Sequence, residues 1–120
     1  MRFLLLLFLA VASPVLADTL PLARGAYVER GTRCDEAANA VIRDYNGQGI
    51  GSSKAGQCTG RVLAHIRRRY TLRQSCVQGY TTRRPPFRAS ENVKVRVDTP
   101  AAFTDLRSGA HYRHCPGLRL

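Results

Sequence analysis

Hydrophobic and polar residues alternate over several short stretches of the chain. Residues 93–99, VKVRVDT, place three valines on one face and charged residues on the other, which is the period-2 pattern of a half-buried β-strand. Shorter patterns of the same kind predict further strands, each bounded by glycine, proline, serine or other turn-forming residues. These further strands are expected at residues 25–31, 40–45, 102–106 and 110–115.

The stretch GRVLAHIRRRYTLRQSCVQG, residues 60–79, predicts a β-hairpin. Read as one unbroken strand, the alternation would point Arg68 into the apolar face. A turn near Arg67–Arg69 removes this conflict because the arginines then lie at an exposed tip. A long helix is the competing interpretation, but the apolar residues do not keep helical spacing, and Thr, Val, Ile and Tyr favour strands.

Two segments between the strands predict loops. Residues 46–57 are rich in glycine and serine and begin with Asn46-Gly47, a strong turn dipeptide. Residues 81–92 contain Pro85-Pro86, which fixes the backbone there. Short strands separated by such loops predict an all-β fold, either a small antiparallel barrel or a sandwich of about six to seven strands.

The amino terminus has the features of a secretory signal peptide. One charge at Arg2 precedes an apolar run over residues 3–11, and Val15-Leu16-Ala17 forms a V-x-A cleavage site. We therefore expect cleavage after Ala17 and a single secreted or periplasmic domain over residues 18–120, with no transmembrane span in the mature chain.

Cysteine usage fits an oxidising compartment. The chain has four cysteines, all after the predicted cleavage site, and an even count behind a signal peptide predicts two disulfides. No C-x-x-C pair occurs and the spacings fit no zinc pattern, so we expect no metal. Three pairings are possible. We expect Cys34–Cys58, closing the glycine-rich segment, and Cys76–Cys115, tying the last strand to a central one.

The chain is strongly basic. It carries 19 Lys+Arg against 8 Asp+Glu, a net charge of +11, and loss of Arg2 with the signal peptide leaves 18 − 8 = +10. Such a charge favours anionic partners, because guanidinium groups bind phosphates bidentately. A competing explanation is a GC-rich genome, which would place arginine rather than lysine on any solvated face. The candidate anion- or partner-binding residues are Arg67, Arg68, Arg69 and Arg73 of the hairpin and Arg83, Arg84 and Arg88 of the proline loop.

No known catalytic motif occurs in the sequence, and we expect no enzymatic activity and no cofactor. On one strand, His111 and His114 would face opposite sides and could not converge on a metal. By alternation, Tyr70 shares the apolar face while the arginines share the other, which disfavours a specific nucleic-acid site. The weakest alternative is a ribonuclease-like hydrolase. It would pair His65, His111 or His114 with Glu29, Glu36 or Glu91.

Three stretches together resemble a known group of proteins: LPLARGAYVERGTRCDEAANA, YTLRQSC and FTDLRSGAHYRHC. They are similar to small disulfide-bonded periplasmic β-proteins of proteobacteria, over most of the chain after residue 17. The resemblance implies a disulfide-stapled β fold in the periplasm and no particular activity.

The expected function is therefore a non-catalytic module that binds an anionic lipid, lipopolysaccharide, an acidic polymer or a periplasmic protein. The alternative is an inhibitor or accessory protein of a periplasmic hydrolase. A basic target such as lysozyme would be repelled by the charge of this chain.

Overall fold

The computed structural model describes residues 17–79 and 85–119, and its eight strands form one closed antiparallel barrel. Each strand pairs with the next along the chain, and the last pairs with the first. The strands are β1 Gly25–Glu29, β2 Ile42–Tyr45, β3 Ile50–Ser52, β4 Ala55–Ile66, β5 Arg69–Gln78, β6 Phe87–Thr99, β7 Ala102–Asp105 and β8 His111–His114; two 3-10 turns, Cys34–Glu36 and Asn39–Val41, lie between β1 and β2. The predicted all-β class is confirmed, in its barrel form.

The additional strand lies in the segment that the sequence predicts as a loop. Residues 50–52 form β3, which turns back after two residues so that Ser52 pairs with Ala55 at the start of β4. The alternation of apolar and polar residues does not reveal this strand, because its central residue, Gly51, has no side chain. A Cβ there would lie 2.6 Å from the carbonyl oxygen of Ala55, so the tight turn requires glycine. The second predicted loop is also shorter than expected, since β6 begins at Phe87.

Two hydrophobic clusters stabilise the barrel. Inward-facing aromatic and aliphatic side chains fill one part of the interior, and a smaller cluster lies on the outer face of β1, β2 and β8, beneath the long β1–β2 connection. The interior cluster contains Leu20, Leu22, Tyr27, Tyr45, Leu72, Val95, Val97, Phe103 and Tyr112, and the outer cluster contains Ala26, Val28, Ile42 and Cys115.

The segment before β1 closes one end of the barrel. Leu20 and Leu22 are 2% and 5% exposed and belong to the interior cluster. The Leu20 N–H donates to the Tyr45 hydroxyl at 2.8 Å, and the Tyr27 hydroxyl donates to the Ala23 carbonyl at 2.7 Å. Burial raises the pKa of Tyr27 to about 12.

Consecutive connections lie at opposite ends because each strand runs antiparallel to the one before it. We call the end covered by residues 18–24 the plugged end and the other end the open end. The plugged end carries the turns at residues 46–49, 67–68 and 100–101, and the open end carries the connections at 30–41, 53–54 and 106–110.

Gln74 joins β5 to β3 where the sheet is weakest. Only Ser52 and Ala55 are in register between β3 and β4. The Gln74 side chain, 2% exposed, accepts a hydrogen bond from the Ile50 N–H at 2.9 Å and donates to the Ile50 carbonyl at 2.9 Å. It also donates to the Glu91 carboxylate at 3.1 Å. One amide thus supplies the two hydrogen bonds that a neighbouring strand would give Ile50.

The two disulfides are confirmed, but the predicted pairing is wrong. The bridges are Cys58–Cys76 and Cys34–Cys115, with Cα atoms 4.1 Å and 5.8 Å apart. Cys58 and Cys76 lie on the paired strands β4 and β5, so the hairpin itself brings them together. Cys34 lies in the β1–β2 connection, which covers the outer face beside Cys115. The pairing prediction failed because it treated the glycine-rich segment as a free loop.

The predicted signal peptide covers residues 1–17. Residues 1–16 lie outside the described residues, and Ala17 is exposed. Within the described ranges, no helix is long and apolar enough to cross a membrane.

Peptide mapping of the unreduced protein tests the disulfide pairing. Digestion after arginine should yield linked peptides joining Cys58 to Cys76 and Cys34 to Cys115. In the loop-entropy estimate, the longer bridge contributes about 4.5 kcal/mol and the shorter about 3 kcal/mol to the free energy of unfolding. A linked peptide joining Cys34 to Cys58 would contradict the structure.

The replacement Gln74→Leu tests the bridge to β3. It keeps a similar volume but leaves the Ile50 N–H and carbonyl without partners, so we expect a loss of about 2–4 kcal/mol in urea unfolding. Gln78→Leu is the matched control on the same strand and face, and should change stability by less than about 0.5 kcal/mol. Equal losses in both variants would show that the Gln74 bridge has no special role.

Candidate functional site: the arginine hairpin

The predicted hairpin is confirmed, with β4 and β5 joined by the two-residue turn Arg67-Arg68. Arg67 adopts φ of 56°, the left-handed region, which costs a non-glycine residue roughly 1–2 kcal/mol. His65 stabilises the turn, since its Nε2 lies 2.6 Å from the Arg67 carbonyl oxygen. The His65 ring also stacks on Tyr70, with centroids 4.0 Å apart. The tip therefore has a defined shape despite its exposure.

The hairpin tip forms an open recess of about 520 Å³. Four of its lining side chains are arginines and the fifth is isoleucine. Arg96 reaches the recess from β6 because it is directly opposite Arg69 in the β5–β6 register. The lining residues are Ile66, Arg67, Arg68, Arg69 and Arg96. We call this group the tip recess.

Arginine faces arginine twice across these strands. Arg69 lies opposite Arg96, and Arg61 lies opposite Arg73 on β4 and β5. Like charges directly opposite one another destabilise a sheet, so this arrangement costs folding free energy that a bound anion would recover. Single-strand alternation could not show these pairs, because they depend on the register between strands. These opposed arginines are a feature of the candidate site that the sequence pattern does not reveal.

One carboxylate fixes the position of Arg96. The Arg96 Nε donates to Asp98 Oδ1 at 2.7 Å, and the Thr104 hydroxyl donates to Asp98 Oδ2 at 2.7 Å. Thr104 Oγ1 also lies 2.8 Å from His111 Nδ1. Burial of Asp98 alone would raise its pKa, but the bonds from Thr104 and Arg96 outweigh burial and hold that pKa below its ordinary value.

The other arginines of the tip recess have no carboxylate partner within residues 17–79 and 85–119. The three ion pairs of this part of the chain join Arg24 to Asp18, Arg33 to Asp35 and Arg96 to Asp98. The guanidinium groups at 67–69 therefore stand in solvent with their donors available for an anion.

Exposed apolar side chains lie beside the recess. Ile66 is 72% exposed, Leu63 is 49% exposed and Val62 is 39% exposed. They are uncovered because, over residues 59–66, β4 pairs with β5 alone among the described strands. A shift in register between Val62 and Ala64 also places Leu63 in a bulge. The hairpin thus combines cationic and apolar groups at one exposed place.

The structure does not bring all the candidate arginines together. Arg73 lies on the outer face of β5 and donates to Asn92 at 3.3 Å. Arg88 lies toward the open end, where it donates to the Ser75 carbonyl at 2.9 Å and the Gln57 carbonyl at 3.2 Å. Its separation from the tip follows from the meander, since the β4–β5 and β5–β6 connections lie at opposite ends. Arg83 and Arg84 fall outside the described residues.

The three histidines also lie apart. His65 is at the hairpin tip, and His111 faces outward on β8 beside Thr104. His114 faces the other way, with its ring 5.2 Å from that of Tyr27 and its Nε2 3.1 Å from the Arg24 carbonyl. Of the glutamates considered with them, Glu91 binds Gln74.

Comparisons with protein-family models, with curated proteins and with solved structures find no match to this chain. The resemblance to periplasmic proteins of proteobacteria therefore remains a prediction from the sequence.

Replacing Asp98 with asparagine tests the anchoring of Arg96. A carboxyl whose pKa is lowered by folding adds stability above its unfolded value of 3.8, and this stability is lost as the pH falls through the lower native pKa. In urea unfolding, Asp98→Asn should cost about 1.5–3 kcal/mol at pH 7. The difference from the unmodified protein should narrow toward pH 2–3.

The control for Asp98 is Asp35→Asn, which removes the fully solvated ion pair with Arg33. It should change stability by less than about 1 kcal/mol at any pH. A pH-independent difference between Asp98→Asn and the unmodified protein would contradict the assignment.

Proposed function

We propose that this chain is a non-catalytic secreted or periplasmic module that binds phosphate-bearing lipid surfaces through the tip recess. The observation that carries the proposal is the cross-strand pair Arg69 and Arg96, which places two like charges opposite each other in the tip recess. Asp98 compensates Arg96 alone, and within the described residues Arg67, Arg68 and Arg69 have no carboxylate partner. A phosphate monoester or diester supplies the missing negative charge and accepts bidentate guanidinium bonds.

The apolar side chains favour a lipid surface over a dissolved anion. Ile66 and Leu63 gain nothing from a small phosphate in water. Against a membrane, each could bury apolar area in the interfacial layer while the arginines bind headgroups. This combination of charge and apolar contact is the chemistry by which proteins attach to the surface of an anionic bilayer without spanning it.

The shape of the tip suits this contact. The Arg68 carbonyl accepts a hydrogen bond from the Val97 N–H of β6 at 2.8 Å, which holds the turn against the neighbouring strand. The strained Arg67 residue keeps a charged side chain at a position where glycine would be cheaper. His65 and Tyr70 brace the turn from the side. The charges are therefore presented on a fixed backbone, which lowers the entropy cost of binding.

Sedimentation with vesicles tests the proposal. The oxidised protein should bind vesicles that contain anionic phospholipid and bind purely zwitterionic vesicles weakly, with affinity falling as salt increases. The triple variant Arg67→Ala, Arg68→Ala, Arg69→Ala should lose roughly 100-fold in partitioning, at about 1 kcal/mol per arginine. Ile66→Ser keeps every charge and should lose roughly tenfold.

A charge-matched control removes three positive charges at other positions. Arg30, Lys54 and Arg119 are exposed and lie outside the tip recess, and their joint replacement by alanine should reduce binding by less than about tenfold. If the control loses as much as the hairpin variant, binding reflects net charge alone and the proposal fails. An unchanged Ile66→Ser variant would contradict membrane contact by the tip.

A further inference from the structure

The barrel has an unfilled interior at its open end. An eight-stranded barrel is just wide enough either to be filled by side chains or to hold one small ligand. Here the plugged end is filled by Leu20, Leu22 and Tyr45. Toward the open end, β3 and the start of β4 contribute only small side chains at Gly51, Ser52 and Ala55, and a cavity of about 500 Å³ remains.

The inner wall of this cavity is apolar and aromatic. Phe103 and Tyr112 stack with centroids 5.0 Å apart, and Val95 lies beside them. Phe103 and Val95 are buried within this wall, and the half-buried Ile50 and Val93 present apolar surface to the cavity. Such a surface can receive an apolar group about the size of a benzene ring or a branched alkyl chain.

A cation and a carboxylate, Arg43 and Glu91, both line the cavity. Arg43 on β2 lies with its guanidinium carbon 5.6 Å from the Tyr112 ring centroid. Its NH1 group donates to the Ala40 and Ile42 carbonyls at 3.1 Å and 3.2 Å. Within the described part of the chain it has no carboxylate partner, so its other donors remain available.

Glu91 provides the opposite charge. It lies on β6, four strands from β2 and hence on the opposite wall of the closed barrel. One carboxylate oxygen accepts a hydrogen bond from Gln74 at 3.1 Å, which fixes the group while leaving its second oxygen available. Asp105, also at the mouth, is engaged by the backbone N–H groups of its own turn. Arg107, in the turn after β7, also lines the mouth.

We propose that this cavity binds a small zwitterion with an apolar side chain, of the free amino-acid class. Its carboxylate would pair with Arg43, its ammonium with Glu91, and its side chain would contact Ile50 and Val93. A plain carboxylic acid would leave Glu91 unpaired beside its own negative charge, and a plain amine would leave Arg43 unpaired. The dipolar mouth therefore selects for both charges together. This proposal does not depend on the hairpin.

Calorimetric titration with three matched probes tests the proposed binding of a zwitterion. L-Phenylalanine carries both charges, 3-phenylpropionate lacks the ammonium, and phenethylamine lacks the carboxylate. Phenylalanine should bind the oxidised protein at least tenfold more tightly than either single-charge probe. No binding of phenylalanine up to about 10 mM, or equal affinity for all three probes, would overturn the proposal.

Variants of Arg43 and Glu91 then show which charged group of the ligand each residue binds. Arg43→Gln should abolish the preference for phenylalanine over phenethylamine, and Glu91→Gln should abolish its preference over 3-phenylpropionate. Asp44→Asn is the control on β2, next to Arg43 but outside the cavity lining, and should leave the three affinities unchanged. If Arg43→Gln reduces the thermal stability, Val93→Trp offers a second route, because it fills the cavity without altering a charge. Phenylalanine binding that persists in Val93→Trp would place the site elsewhere.

Discussion

The amide side chain of Gln74 reinforces the barrel where its closure is weakest, between β3 and β4. β3 and β4 share only one residue pair, and Gln74 supplies the missing connection by pairing with both backbone groups of Ile50 from β5. A buried glutamine is tolerated here because each polar atom has a partner. The same amide fixes Glu91 at the mouth of the cavity. Gln74 thus links the β3–β5 connection to the geometry of the open end.

Stability elsewhere comes from sources that suit a small domain. A core built on Tyr27, Phe103 and Tyr112 supplies large apolar contacts. The disulfides hold segments that the core does not stabilise. Cys34–Cys115, for example, ties the long β1–β2 connection to the end of β8. The core and the disulfides together offset the opposed arginines and the strained Arg67 of the hairpin, both of which cost folding free energy.

The sequence predicts local features of this protein well and long-range ones poorly. Alternation identified the half-buried strand around Val95 and the hairpin turn at Arg67-Arg68, because both depend on neighbouring residues. It missed β3, where glycine replaces the side chains that would show the pattern. The disulfide pairing, the arginine pairs and the cavity mouth between Arg43 and Glu91 depend on register and on barrel closure. None of these is visible in a single strand.

The alternation of connections between the two ends gives the molecule a direction. The arginine turn belongs to the plugged end, and the cavity opens at the other. A barrel attached to a surface by its hairpin would keep its opening turned away from that surface and accessible to the surrounding solution. Attachment and ligand capture would then occur at the same time without steric competition. The up-and-down topology places the arginine turn at the end that residues 18–24 fill, and this leaves the cavity at the opposite end.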